Sequence, residues 1–115
     1  ENDMLVNRFW NESVTAQAVS AVVNGASRDV GAQPGQNHGL CAFNAMAVAD
    51  QAGTLRIESS VNGTNWYRAT ADAAVAANAP VILSIPVVSQ FHRAVFVNGA
   101  TANTLFKLVT SYTES

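Results

Sequence analysis

Asp50-Gln51-Ala52-Gly53-Thr54-Leu55-Arg56-Ile57-Glu58-Ser59-Ser60-Val61-Asn62-Gly63-Thr64-Asn65-Trp66-Tyr67-Arg68-Ala69-Thr70 is the stretch that decides the fold. Residues 54–60 alternate, with Leu55 and Ile57 on one side and Arg56 and Glu58 on the other. That is the period of a half-buried strand. Asn62-Gly63 comes next, a pair favoured where a tight hairpin turn holds positive φ. Residues 66–70 then read as the return strand, so Asn62 and Gly63 define a hairpin.

Downstream the same signals repeat. Residues 71–79 read as a spacer with short extended pieces. Residues 81–85 (VILSI) form a strand that stops at Pro86, and residues 91–97 and 104–112 form two more. Asn98-Gly99 opens the link between those two, which reads as a second hairpin. The expected core is Leu55, Ile57, Val95, Val97 and one face of 104–112. In that last strand Phe106, Leu108 and Tyr112 share a face, and Leu105 and Val109 share the other. Both faces are apolar, whereas an antiparallel sandwich ordinarily leaves its outer face polar. A second subunit is therefore expected over one of them.

Upstream, residues 40–49 (LCAFNAMAVA) are a nearly continuous apolar run, as in a buried strand. Residues 31–39 hold three glycines and a proline and read as a loop. Residues 14–23 mix helix-favouring alanine with strand-favouring valine and threonine. The strands downstream decide for strand. The whole is read as all-β: an antiparallel β-sandwich, jelly-roll or Greek-key like, over residues 13–115. Residues 1–12 are read as a short N-terminal arm. Met4, Leu5, Val6, Phe9 and Trp10 make it an expected interface anchor, because such side chains bury much area on a short polar segment.

Composition narrows the function. The chain has 115 residues, enough for one domain. Only 12% are charged, about half the usual ~25% share. Such a surface hydrogen-bonds without carrying charge, which suits a protein packed against neighbours. Net charge is −2 and Lys107 is the only lysine, so direct nucleic-acid binding is not expected. No apolar run has the length of a membrane span, and no membrane partner is expected. Cys41 is the single cysteine, leaving no intrachain disulfide. No nucleophile elbow, phosphate-cradling loop or metal-spaced ligand pair is present. No catalytic residue, metal or cofactor is expected, and His92 within a strand reads as a packed side chain. Trp10, Trp66 and Tyr67 supply the aromatics for a sugar platform, although Trp66 beside a hairpin more often covers the core.

The motif Asp50-Gln51-x-Gly53-Thr54-Leu55-x-Ile57-Glu58-x-Ser60-x-Asn62-Gly63-x-Asn65-Trp66 resembles a pattern found in tailed phages. Arg93-x-x-Phe96-x-Asn98-Gly99 and Thr104-x-Phe106-x-Leu108-x-Thr110 continue it. It is similar to a small β-sandwich domain that recurs in structural proteins of tailed phages and prophages. The likeness spans about residues 45–112. Asn62 stands where that domain usually has Asp. Gln90 and His92 stand where an Arg and an aromatic are usual. The resemblance implies a virion context: a capsid decoration protein, a head fibre or a tail-associated module. The expectation is thus a non-enzymatic decoration protein on the particle surface, with the head favoured. Its expected partners are the major capsid protein or other virion proteins and its own copies, as a homo-oligomer. The Asn62–Trp66 hairpin also resembles discoidin-like and galactose-binding jelly rolls. That likeness implies the alternative, a glycan-binding module for host attachment.

Overall fold

A computed structural model describes residues 9–30, 40–87 and 89–114. Ten strands run through them: β1 (Phe9–Ser13), β2 (Val22–Asn24), β3 (Arg28–Asp29), β4 (Leu40–Ala49), β5 (Gly53–Ser60), β6 (Tyr67–Arg68), β7 (Ala73–Val75), β8 (Val81–Pro86), β9 (Phe91–Asn98) and β10 (Phe106–Glu114). Every pairing is antiparallel. The first sheet has the order β1-β10-β4-β8. The second has β2-β9-β5-β6, with β3 also on β9 and β7 also on β5. With β2/β3 and β6/β7 each counted as one interrupted strand, this is the eight-strand order of a jelly roll.

The core follows from alternation. In β4, Phe43, Ala45, Ala47 and Ala49 face inward and are buried, while Asn44, Met46 and Val48 face outward. The small alanines leave room for large side chains from the neighbouring strand β10 and from the second sheet. Leu55, Ile57, Phe96, Phe106, Leu108 and Tyr112 fill it, and the Phe96 and Phe106 rings meet at 4.6 Å. Burying each such side chain is worth about 1.5–3 kcal/mol.

Residues 14–21 form no strand; only Val22–Asn24 pairs, against β9. Val97 and Val95 are not on the core face of β9. Register places Phe96 opposite Leu55 and Ala94 opposite Ile57. The even-numbered residues His92, Ala94, Phe96 and Asn98 therefore line the interior, because directly opposed residues share a face. Val95 is buried on the other side of the sheet and Val97 is half-buried there.

Asn98-Gly99 does not turn a hairpin. β9 belongs to the second sheet and β10 to the first, so the link crosses the sandwich. Asn98 staples that crossing instead. Its buried amide donates to the carbonyls of Ala18 at 2.8 Å, Thr101 at 3.1 Å and Gln17 at 3.3 Å. Gly99 is required by close approach, since a Cβ there would lie 2.6 Å from the Ala52 carbonyl oxygen.

Asn62-Gly63 does lie in the loop joining β5 to β6, but only Gly63 has positive φ, at 78°. The side chains make the rest of the turn. Ser60 Oγ accepts from the backbone N–H of Asn62 and Gly63, and Asn62 Oδ1 accepts from those of Thr64 and Asn65. This is turn chemistry by short polar side chains. Gly63→Ala is expected to lower stability by about 1 kcal/mol, from the left-handed backbone alone. Asn62→Ala should cost a similar amount, about 1 kcal/mol, through the loss of the Oδ1 that accepts from Ser60 Oγ and from the Thr64 and Asn65 N–H. Urea denaturation of both variants checks this.

The N-terminal expectation changes most. Residues 1–8 lie outside the described residues, and with them Met4, Leu5 and Val6. Phe9–Glu12 are not an arm. They form β1, an edge strand of the first sheet paired to β10, with Trp10 opposite Thr110. The division at residue 12 therefore cuts through a strand.

Candidate interaction face

The two outer faces of the sandwich differ sharply in chemistry. The second sheet carries a charge lattice. Glu58 sits at its centre, accepting from Arg93 at 2.8 and 2.9 Å and from Arg56 at 2.7 Å. Burial raises the Glu58 pKa, but the two arginines outweigh it and hold the carboxyl below the ordinary range. Asp72 bonds Arg68 and lies 3.6 Å from Arg56. Arg93 also stacks over Trp66, 4.5 Å from its ring centre. One face of Trp66 is thus already covered by a guanidinium, a cation–π contact that occupies the surface a sugar would need.

The first sheet presents the opposite surface. Phe9, Met46, Ile82 and Val109 lie across its four strands. They line a shallow cleft of about 200 Å³ with Asn44 and Ser111. Further along the same face a second cleft, about 300 Å³, is lined by Val14, Val48, Leu105 and Phe106, with Asp50 and Lys107 at its rim. Ile82 is 67% exposed, Leu105 69% and Phe9 52%. Lys107 lies on this face, on β10 opposite Val48 of β4. The polar groups there serve one another: Ser84 donates to Asn44 at 2.6 Å, and Asn44 donates to Ser111 at 3.2 Å.

Beneath this face the two sheets are tied by a polar cluster that sequence reasoning did not single out. Glu12 occupies a bulge, because Asn11 pairs with Val109 and Ser13 already with Leu108. Strand alternation puts Glu12 on the same inward side as Trp10. Its two oxygens accept from Arg28 at 2.8 and 2.9 Å, Thr110 at 2.6 Å and the Ala26 N–H at 3.2 Å. Arg28 also lies over Trp10, 4.4 Å from its ring centre. Trp10 therefore packs against its own domain, edge-on to Tyr112.

His92 and Tyr112 complete the cluster. The Tyr112 hydroxyl donates to the Arg28 carbonyl at 3.0 Å. Tyr112 O is 2.9 Å from His92 Nδ1, so Nδ1 carries the proton and donates, an assignment set by the hydrogen-bond network. The ring stacks on Phe43, and Nε2 is buried without a partner. Burial pushes the His92 pKa down to about 4. Burial also raises the Tyr112 pKa, the Asp29 charge adding to this and Arg28 opposing it. A neutral imidazole sealed from solvent cannot exchange protons with a substrate. Asp50 is likewise occupied, its carboxylate held by the hydroxyl and backbone N–H of Thr104, which lower its pKa. Among the described residues no group of three or more His, Cys, Asp or Glu side chains could hold a metal ion.

Fold and surface together define a jelly-roll module with a charged outer face, a largely apolar one, and no catalytic constellation among its described residues. Residues 1–113 match the family described as the uncharacterised protein YqxG N-terminal domain, and the chain belongs to that family. Among solved structures it is similar to the PBSX exported protein XepA, with a TM-score of 0.80 and 25% identity. That match covers 93% of this chain and 37% of XepA, so the chain spans little more than a third of that protein. It is also similar in fold to PirA, with a TM-score of 0.56, 14% identity and 92% of each chain covered. No curated protein matches it.

Proposed function

We propose that this domain is a non-enzymatic structural module of a phage or prophage particle. In its most concrete form it is a decoration module that steadies the head by packing on capsid subunits and its own copies. The observation that carries this reading is the asymmetry of the two outer faces. The β5–β9 face is solvated by paired charges. The β10–β4 face leaves Phe9, Ile82 and Leu105 exposed around two apolar clefts. A contiguous apolar surface rimmed by polar groups is the mark of a protein contact. The similarity to a PBSX exported protein supports a phage origin. Many weak contacts of this kind hold well when repeated on a lattice. The glycan reading is disfavoured by the Arg93 guanidinium that covers Trp66.

The test is to purify particles and measure copy number by quantitative mass spectrometry and position by electron microscopy. A lattice of many copies on the head is the expected result. Finding the protein in the growth medium and absent from purified particles would sink the reading.

A further inference from the structure

Asn-Gly occurs three times, at residues 24–25, 62–63 and 98–99. Such a pair can cyclise, because no glycine Cβ obstructs attack of its nitrogen on the asparagine side-chain carbonyl. The fold locks two of the three. Asn24 ends β2 opposite Val95, and the Gly25 N–H is held by the Ala94 carbonyl at 2.8 Å. Asn98 is 2% exposed and its Nδ2 donates to the carbonyls of Gln17, Ala18 and Thr101. The Gly99 N–H is held by the Ala52 carbonyl at 3.0 Å. A carbonyl accepts an amide proton but has none of its own to hand on.

Asn62-Gly63 differs in each respect. Asn62 is exposed, and among the described residues none accepts a hydrogen bond from its Nδ2. The Gly63 N–H donates to a hydroxyl, Ser60 Oγ, at 2.8 Å, and that hydroxyl donates to Asn62 Oδ1 at 3.1 Å. Ser60 therefore bridges the nucleophile to the carbonyl it would attack. Oδ1 also accepts from the backbone N–H of Thr64 and of Asn65, each at 2.9 Å. All three donors point at the oxygen on which charge develops when Cγ is attacked, the arrangement of an oxyanion hole. Ser60 is 1% exposed, so bulk water does not displace the bridge.

We propose that Asn62 is a self-modification site, converted to aspartate or isoaspartate through a succinimide whose closure Ser60 relays. The Gly63 nitrogen bonds to Asn62 Cγ. Its proton passes to Ser60 Oγ while the Ser60 proton passes to Oδ1. The tetrahedral carbon then expels Nδ2 as ammonia, which carries off the Oδ1 proton as the carbonyl re-forms. Water opens the ring at either carbonyl and restores the Gly63 N–H. Amide and water are consumed, carboxylic acid and ammonia are formed, and no other reactant is needed. The ring has five members, so the chain itself supplies the proximity. Opening to aspartate leaves an oxygen to accept from Thr64 and Asn65, so the turn persists with one negative charge added. The chemistry belongs to the chain alone and holds whether or not the domain sits on a particle.

The experiment ages the purified protein at neutral pH, folded and in urea, and follows each Asn-Gly pair by peptide mapping and mass spectrometry. In the folded protein position 62 should convert at least about tenfold faster than positions 24 and 98. Urea should slow position 62, which loses its relay and donors, and speed the other two, so the three rates converge. Ser60→Ala should slow conversion at 62 about tenfold in the folded protein and leave its rate in urea unchanged. A thermal melt establishes that this variant is folded; the comparison of folded chain with urea needs no variant and stands if it is not. Slower conversion at 62 in the folded chain than in urea would mean that the turn protects Asn62, and would overturn the proposal. A folded Ser60→Ala variant that converts as fast as the wild type or faster would do the same, as would equal rates at the three positions in the folded chain.

Discussion

Deleting residues 1–12 should leave the chain largely unfolded, with loss of the cooperative thermal transition. The deletion removes most of β1, which closes the first sheet along β10. It takes away Trp10, which packs between Tyr112 and the Arg28 guanidinium. Trp10 is partly buried against the core, so its loss costs about 2–3 kcal/mol, less than that of a fully buried aromatic. It also removes Glu12, whose carboxylate is 2% exposed while Arg28 is 21% exposed. Breaking a largely buried pair from one side costs about 3–5 kcal/mol, because the remaining charge and its neighbours lose their partner. Thr110 is 1% exposed and loses its hydroxyl acceptor as well. A domain of this size is stable by about 5–15 kcal/mol in total, so the combined loss consumes most of the margin. Glu12→Ala isolates the central step. It should lower stability by about 3 kcal/mol with the strand otherwise intact. A deletion variant that melts like the full chain would show that residues 9–12 are dispensable, as the arm reading expected.

The arm was read from residues that the structure uses twice over. Phe9 and Trp10 are neighbours on one strand, so they point to opposite faces. Phe9 walls the apolar outer cleft, while Trp10 enters the sandwich. Composition alone could not divide them. What would have helped is the alternation Phe9-Asn11 against Trp10-Glu12, which is strand period. A charged residue on the inward side hid it. Glu12 is tolerable there only because Arg28, 16 residues away, and Thr110, 98 residues away, converge on it. Such long-range pairing leaves no local trace.

The sheet signals were legible where alternation was clean. Leu55 and Ile57 face the core as their spacing implied, and the last strand keeps Phe106, Leu108 and Tyr112 inside. β9 was ambiguous because residues 94–97 are all apolar, so the period of two disappears. Only the pairing with β5 settles that Phe96, not Val95, meets Leu55. The long apolar run of β4 has the same ambiguity, and its resolution bears on function. Its inner side is Phe43 and alanines; its outer side keeps Met46 and Val48 at the surface. The candidate face was therefore visible in the sequence as too much apolar character in both β4 and β10. Which strands would lie beside them was not visible, because jelly-roll order brings together residues as distant as Phe9, Met46 and Ile82.

Stability should fall as the solution is acidified from pH 6.5, and His92 should cause the first part of the fall. In the unfolded chain its imidazole titrates near 6.5; in the folded domain burial lowers it to about 4. Above pH 6.5 the ring is neutral in both states and contributes no pH dependence. Between 6.5 and 4 the unfolded chain binds a proton that the folded chain refuses, so unfolding is favoured as pH drops. The full window is worth about 3 kcal/mol, at 1.36 kcal/mol per unit of pKa difference. Below about 4 the folded ring protonates too and this slope ends. Glu58 acts later. Its folded pKa lies below 4.5, so its stabilisation is present above 4.5 and is lost as pH falls through its folded value. The interval from 6.5 to 4.5 thus separates the histidine from that carboxylate. His92→Phe should flatten it, because a phenyl ring retains the stacking on Phe43 and has no titrating nitrogen. Tyr112 would lose the Nδ1–H donor but keep the Arg28 carbonyl as acceptor. Removal of the partnerless Nε2 offsets that loss, so the variant should be near wild-type stability at pH 7. Urea midpoints measured across this interval decide the matter. If His92→Phe keeps the wild-type slope, the acid sensitivity belongs to another group, and His92 is not the residue that couples folding to protons.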